Sequence, residues 1–494
     1  MPQQPSLSPS FSLRVFPRLS PFLAPLLSPV IAALATACLL LAVGSSTAHA
    51  ELPAELARSA NAAGIPESAI TVWIAPAQGG TASLQHNAIQ PFNPASLIKL
   101  LTTQAGLEML GPNWRWQTTA RLGAPLQDGV LRGPLHVIAS GDPTLTWDRL
   151  GAWLRDWRAR GLRDIRGDIV IDAGRFTAPP RPSTLADDDG AQRAYNAQPS
   201  ALLANFNALS VRLAPAANGI DAVSLVPSAN LRIVNRLRAV PGPCPDWRGR
   251  MDTPLTADSR GLQLVLDGQM PASCGERILN LAVPEGLQWP EGIVRQLWQE
   301  MGGNWQGRLR EGPAPLDAAV FSAWDSPPLA EAVRDINKFS NNVMARALYL
   351  SLGGGNTTDA GTTLRTWLKA QGMDFPELVL ENGAGLSRQE RISAAHLGAL
   401  LQHAFGSPRM PELMASLPVA GLDGTARRRF DGRPDSGRAY LKSGSLRDVA
   451  GLAGYVLDDS GRWQALVVII NQPNVGNVDA LLQLAVRTAA ARRP

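Results

Sequence analysis

Lysine is nearly absent from this chain of 494 residues. Among its 46 lysines and arginines, only Lys99, Lys338, Lys369 and Lys442 are lysine. The arginines form no basic stripe and do not alternate with aromatic residues, so there is no nucleic-acid signature. Cysteine is also scarce, at three, and there are five histidines. No histidine sits in an H-E-x-x-H pattern and no G-x-S-x-G occurs, so zinc-peptidase and α/β-hydrolase chemistry lack their signatures. His396 and His403 stand at i, i+7 of one helical stretch, the spacing of a solvated or core face rather than a ligand pair. The run "LGGGN" at 352–356 follows a helical pattern instead of opening one, which reads as a helix stop and not a phosphate cradle. No metal or cofactor is expected. Low-complexity blocks and internal repeats are missing too, and 45% hydrophobic with 18% charged residues is ordinary globular composition, long enough for two or three domains.

Acidic residues are missing from the first fifty positions. These carry Arg14 and Arg18, then the apolar run "VIAALATACLLLAVG", then an ending in Ala48-His49-Ala50. A basic start, a short apolar core and an A-x-A end predict a secretory signal peptide over 1–50, cleaved near Ala50. The expected location is periplasmic, in the cell envelope. Cys38 loosely resembles a lipidation site, but the apolar run continues past it. No other stretch is long and apolar enough to span a bilayer. The processed chain keeps Cys244 and Cys274. Export would let them form a disulfide, and two reduced cysteines are the alternative. Loss of Arg14 and Arg18 lowers the formal charge of +5 by two, leaving a mildly basic surface suited to an anionic polymer.

Along the chain, "AITVWIAPA" reads as a strand, and a helix-like motif follows near residue 95. Between about 120 and 318 the text becomes many short strand-like runs, such as "DIVIDAG" and "GLQLVLD", between glycine and proline turns. This predicts a mostly β insertion. From 319 the pattern turns helical ("PPLAEAVRDI", "NVMARALYLSL") and ends strand, strand, strand, helix, an antiparallel meander. The expected class is α+β: an antiparallel sheet flanked by helices, built from 51–119 and 319–494 and interrupted by 120–318.

The scarcity of lysine makes "NPASLIKLLTT" conspicuous. Asn93 is a good N-cap and Pro94 suits the first helical position. Ser96 then lies in the first turn, where free N–H groups favour negative charge. Lys99 follows at i+3 on the same face. A serine nucleophile needs a base. A lysine whose pKa is lowered can be one, whereas arginine cannot. S-x-x-K alone arises often by chance, but two further pieces accompany it. "INKFSNNVMARAL" places Ser340 and Asn342 at S-x-N spacing, at a break between helical stretches. "AYLKSGSL" places Lys442, Ser443 and Gly444 at the end of a strand. Each piece is common by itself; their order, spacing and context are not.

S-x-x-K, S-x-N and K-[TS]-G in this order resemble the active-site serine penicillin-recognising enzymes. "SGDPTL", "YNAQPSALLANFNALSV", "ENGAGLSRQERIS" and "LPVAGLDGTARRR" narrow the resemblance to the class C low-molecular-mass penicillin-binding proteins, which are serine D-alanyl-D-alanine carboxypeptidases and endopeptidases. It implies a β-lactamase/transpeptidase-like fold carrying an insertion between the first two motifs. It implies peptidoglycan peptides as substrate and β-lactams as covalent inhibitors. Residue by residue, Ser96 is the implied nucleophile and Lys99 its base. Ser340 and Asn342 line the cleft, and Lys442 gives positive potential for the substrate carboxylate. Ser443 and Ser445 offer it hydroxyls. The N–H groups of Ser96 and Ser445 form the oxyanion hole, beside Gly444. Tyr195, Asp188 and Asp189 are implied readers of the peptide side chain. Ser443 departs from the commoner threonine but keeps the hydroxyl. A β-lactamase on the same fold and a non-catalytic peptidoglycan-binding protein are the rival readings.

Overall fold

The computed structural model describes residues 51–177, 192–315 and 317–491. The expected leader with Cys38, and the acidic run Asp187, Asp188 and Asp189, lie outside them. A central sheet runs in the order Leu84–His86, Ile70–Pro76, Trp463–Asn471, Val449–Leu457, Ala439–Leu446, every pair antiparallel. The first long strand therefore pairs with the last, and the C-terminal meander is as the sequence predicts.

The strands are apolar almost throughout because both faces of the sheet are covered. Val72, Ile74, Val468 and Ile470 pack against Leu56, Leu481, Leu482 and Val486, from the helices Ala54–Ala62 and Asp479–Ala490. The alternate residues Trp73, Ala75, Val467 and Ile469 pack on the other side with Leu97, Leu101, Leu397 and Leu400. Each such side chain taken from water contributes about 1.5–3 kcal/mol. Adjacent Val467 and Val468 are both buried, so a charge at either would enter a core with no partner, which is strongly destabilising.

On that second face lie the helices that carry the site. The helix Leu329–Phe339 stops at Ser340, which adopts a left-handed conformation with φ 55°. Asn341 then caps the next helix, Asn342–Leu352, accepting from the N–H of Met344 at 3.1 Å. A chain break of this kind aims Ser340 and Asn342 into one cleft. Gly353 ends that helix as expected, and Asn356 at once caps another, Thr357–Ala370, where the glycine run suggests only a loop. His396 Nδ1 lies 2.7 Å from the Glu377 carboxylate and its ring stacks on Phe375, while His403 bonds Glu108 at 3.0 Å. Both histidines are thus paired with carboxylates, not with each other.

The strands Gln117–Leu122 and Val320–Asp325 pair antiparallel, so the chain departs and returns at one place. Between them lie the sheets that the short runs predict. The segment is mostly β, as expected, with an addition that the short runs do not announce. It contains two 13-residue helices, Trp147–Ala159 and Gln288–Glu300. Their buried Trp153, Trp157, Leu297 and Trp298 share one core with Leu264 and Leu279 of the strands. Cys244 and Cys274 are joined in a disulfide, with Cα atoms 5.1 Å apart.

Candidate active site

The turn that carries Ser96 differs from the ordinary helix start that its sequence suggests. Asn93 does accept from the N–H of Ala95, at 2.9 Å. Pro94 is already helical, but Ala95 has φ 45°, and Ala95–Ile98 form a short 3₁₀ turn before the helix Lys99–Met109. A non-glycine residue in this region is strained, and here it is clamped. Asn471, at the end of the strand Trp463–Asn471, accepts from the N–H of Asn93 at 2.7 Å and donates to its carbonyl at 3.1 Å. Asn93 Nδ2 donates to the carbonyl of Ser387 at 2.9 Å.

Two segments far apart in sequence join the Ser96 turn at Lys99. Its Nζ is 2.8 Å from Ser96 Oγ and 2.7 Å from Asn342 Oδ1, and it also bonds the carbonyl of Ala384. Asn342 Nδ2 donates to the carbonyl of Tyr195 at 3.0 Å, which fixes Oδ1 toward the lysine. Lys99 is fully buried. That burial, and then the charge of Lys442, hold its pKa well below the ordinary lysine value, with Glu390 opposing. A neutral amine has two N–H bonds and one lone pair. Two of its three neighbours, the Asn342 amide oxygen and the Ala384 carbonyl, can only accept. In that neutral form, which the lowered pKa favours, the two N–H bonds can serve these acceptors and the lone pair is free to take the Ser96 proton. This is the geometry of a serine with its base.

Lys442 is also fully buried, and burial pushes its pKa down to about 7. It donates to Ser340 Oγ at 2.9 Å and to the carbonyl of Ser443 at 2.7 Å. The motif sits within the strand Ala439–Leu446, which continues to Leu446 instead of ending at Gly444. Gly444 is where this strand crosses the Ser96 turn: a Cβ there would stand 2.7 Å from the carbonyl oxygen of Pro94. Ser443 Oγ donates to Thr425 Oγ1 at 2.8 Å, and Ser445 is exposed. Tyr195 reaches the group through its backbone carbonyl, while its side chain is exposed. The structure thus brings together Ser96, Lys99, Ser340, Asn342, Lys442 and Ser443. Asp188 and Asp189 lie outside the described residues.

Some contributors have no readable signal in the sequence. Ala384 acts through a main-chain carbonyl, which no side-chain pattern announces. Its loop is held by Glu390, which is fully buried and accepts from the N–H groups of Glu381, Asn382 and Gly383 at 3.2, 3.0 and 3.1 Å. Gly385 in the same loop has φ 81°, and a Cβ would stand 2.0 Å from the carbonyl oxygen of Ala95. Burial raises the Glu390 pKa, yet its charge still favours protonated Lys99. Glu390→Gln keeps an acceptor for the loop but removes that charge. The Lys99 pKa then falls, so the acidic limb of the acylation pH profile is expected to move to lower pH. An unmoved limb, with acylation otherwise intact, would show that Glu390 carries no charge in the working enzyme.

A serine and lysine in contact at a helix start, an S-x-N bend and a K-S-G strand beside them define an active-site serine peptidase of the penicillin-recognising fold. The chain belongs to the D-Ala-D-Ala carboxypeptidase 3 (S13) family, whose model matches residues 52–491. It is 30% identical over 422 residues to a D-alanyl-D-alanine carboxypeptidase of Actinomadura sp. (strain R39), covering 80% of this chain and 76% of the relative. It is 23% identical over 396 residues to the D-alanyl-D-alanine carboxypeptidase DacB of Haemophilus influenzae, covering 78% and 82%. The crystal structure of penicillin binding protein 4 (dacB) from Haemophilus influenzae superposes with a TM-score of 0.72 at 20% identity, covering 88% of this chain and 99% of that one.

Proposed function

We propose that this protein is an exported, periplasmic serine peptidase that cleaves the D-alanyl-D-alanine bond of peptidoglycan stem peptides and the D-amino-acid cross-links between them. The observation that carries this reading is the contact of Ser96 Oγ with the buried, pKa-lowered Lys99 at 2.8 Å. Lys99 takes the Ser96 proton as Oγ attacks the carbonyl carbon of the penultimate D-alanine. The oxyanion is received by the N–H groups of Ser96 and Ser445. The C–N bond breaks as the proton taken by Lys99 is relayed through the Ser340 hydroxyl, held by Lys442, to the leaving amine, so that Lys99 is neutral again for the water step. Water then hydrolyses the acyl-enzyme. Lys442, Ser443 and Ser445 hold the substrate carboxylate, and Tyr195 borders the acyl side. β-Lactams acylate the same serine.

The leader over 1–50 supports export. Among the described residues no helix is long and apolar enough to cross a membrane. The antiparallel pairing at Gln117–Leu122 and Val320–Asp325 supports treating 120–318 as an inserted unit on a domain made of 51–119 and 319–494. Digestion of purified peptidoglycan should release free D-alanine, stem peptides shortened by one residue, and monomers from cross-linked dimers. A protein that turns over penicillin rapidly and leaves peptidoglycan intact would be a β-lactamase instead. One that binds peptidoglycan and is never acylated would be the non-catalytic alternative.

A further inference from the structure

Lys338 is a lysine that the chemistry above does not use. It is buried and pairs with Asp423 at 2.6 Å. Asp423 Oδ1 also accepts from the N–H of Val419 at 2.7 Å. The next residue, Gly424, has φ 54° and lies so close that a Cβ would stand 2.6 Å from the carbonyl oxygen of Lys338. The segment at 423–424 is therefore pinned to the helix end that presents Ser340. Two neighbours of the pinned residues remain on the surface: Phe339 is 65% exposed and Leu422 is 61% exposed. Both are among the most exposed large apolar side chains of the described residues. Past the pin, Thr425 bonds Ser443. Arg427 and Arg428 follow. Both are exposed, and neither has an ion pair or side-chain hydrogen bond among the described residues. Arg429, by contrast, is tied to Asp479 at 2.6 Å. Arg428 can lie no further than roughly 11 Å from Thr425, given the reach of three residues.

This rim joins two apolar side chains and two uncommitted cations to the Ser443 hydroxyl, and nothing in the acylation step calls for them. The inference rests on the peptidase reading, in which Ser443 receives the carboxylate of the leaving residue. A leaving D-alanine ends at that carboxylate. A cross-linked leaving residue does not: its side chain continues into a second stem peptide, which carries further carboxylates and aliphatic groups. We propose that the rim formed by Phe339, Leu422, Thr425, Arg427 and Arg428 binds this anionic second peptide. Long, exposed arginines suit such recognition, because their planar guanidinium groups pair with carboxylates in a bidentate manner.

The test compares a purified cross-linked muropeptide dimer with a monomeric pentapeptide, using the full protein and an Arg427→Gln/Arg428→Gln double variant. Penicillin acylation is measured alongside, because penicillin carries no second peptide. For the double variant, kcat/KM on the dimer is expected to fall about tenfold, with pentapeptide cleavage and penicillin acylation within about twofold of wild type. Wild-type dimer cleavage should also weaken with added salt more than pentapeptide cleavage does. Leu422→Ser should lower dimer cleavage selectively as well. Equal loss on dimer and pentapeptide, or no loss on either, would overturn the rim proposal. Wild-type protein that penicillin fails to acylate would instead overturn the peptidase reading.

Discussion

Lys99→Arg is expected to lose penicillin acylation by about 10²–10⁴-fold, the usual worth of general-base assistance. Charge and approximate length survive the exchange, but arginine stays protonated and cannot take the Ser96 proton. The surroundings sharpen the expectation. Lys99 Nζ faces two pure acceptors, so the proton-accepting direction is aimed at Ser96. A guanidinium would donate to all three and offer no lone pair. Lys442→Arg should be milder. That side chain meets Ser340 Oγ and the Ser443 carbonyl, and its proposed task, to meet a carboxylate, needs charge and not a lone pair. Its cost is the bulk of a guanidinium in a fully buried space, typically about 1–3 kcal/mol. The second-order rate of penicillin acylation separates the two variants. If Lys99→Arg keeps most of its rate, lysine at 99 is there for charge or packing, and the base must be sought elsewhere.

Ser96→Ala should abolish covalent labelling by penicillin altogether. In the wild type a single tryptic peptide, containing Ser96, should carry the label. The fold should tolerate the change. Ser96 is partly exposed, and its hydroxyl meets Lys99 and, more distantly, the Ala384 carbonyl at 3.5 Å. Lys99 keeps its two stronger acceptors. A thermal melt should therefore move little, consistent with a stability change within about 1 kcal/mol for one lost hydrogen bond. Labelling that persists in Ser96→Ala would remove the nucleophile assignment, whatever the melt shows.

The parts of this site that use side chains with unusual chemistry are legible in the amino-acid sequence. A sparing use of lysine points to Lys99 and Lys442, and the bend at Ser340 and Asn342 is visible as a break between two apolar patterns. The parts that use main-chain geometry are not legible. The left-handed Ala95 violates the residue preference for that conformation, so local sequence argues for a plain capped helix, and the Asn471 clamp overrides it. The Ala384 carbonyl has no side-chain signature. Lys338 stands beside the S-x-N motif, but its partner Asp423 lies 85 residues on, and only the fold joins them. The helices that local sequence hides have similar causes. Thr357–Ala370 starts with threonines and a glycine, poor helix formers, although Leu364, Trp367 and Leu368 do form a buried stripe. Gln288–Glu300 carries Pro290 and Gly292 near its start, which reads as a turn. In Trp147–Ala159 the stripe Leu150, Trp153, Leu154 and Trp157 has helical spacing, and strand-like neighbours on either side mask it.

The clamp between Asn93 and Asn471 spans 378 residues of chain. During synthesis the chain must reach Asn471 before the strand Ile70–Pro76 has its full neighbour Trp463–Asn471. Until then the Ser96 turn lacks the Asn471 clamp that holds it. Closing so long a loop is slow, because its entropy must be met before the distant contacts reward it. A nascent or truncated chain therefore cannot form a partial catalytic centre. Activity is expected only once the strand Trp463–Asn471 is in place, and a chain cut before Trp463 should not be acylated by penicillin.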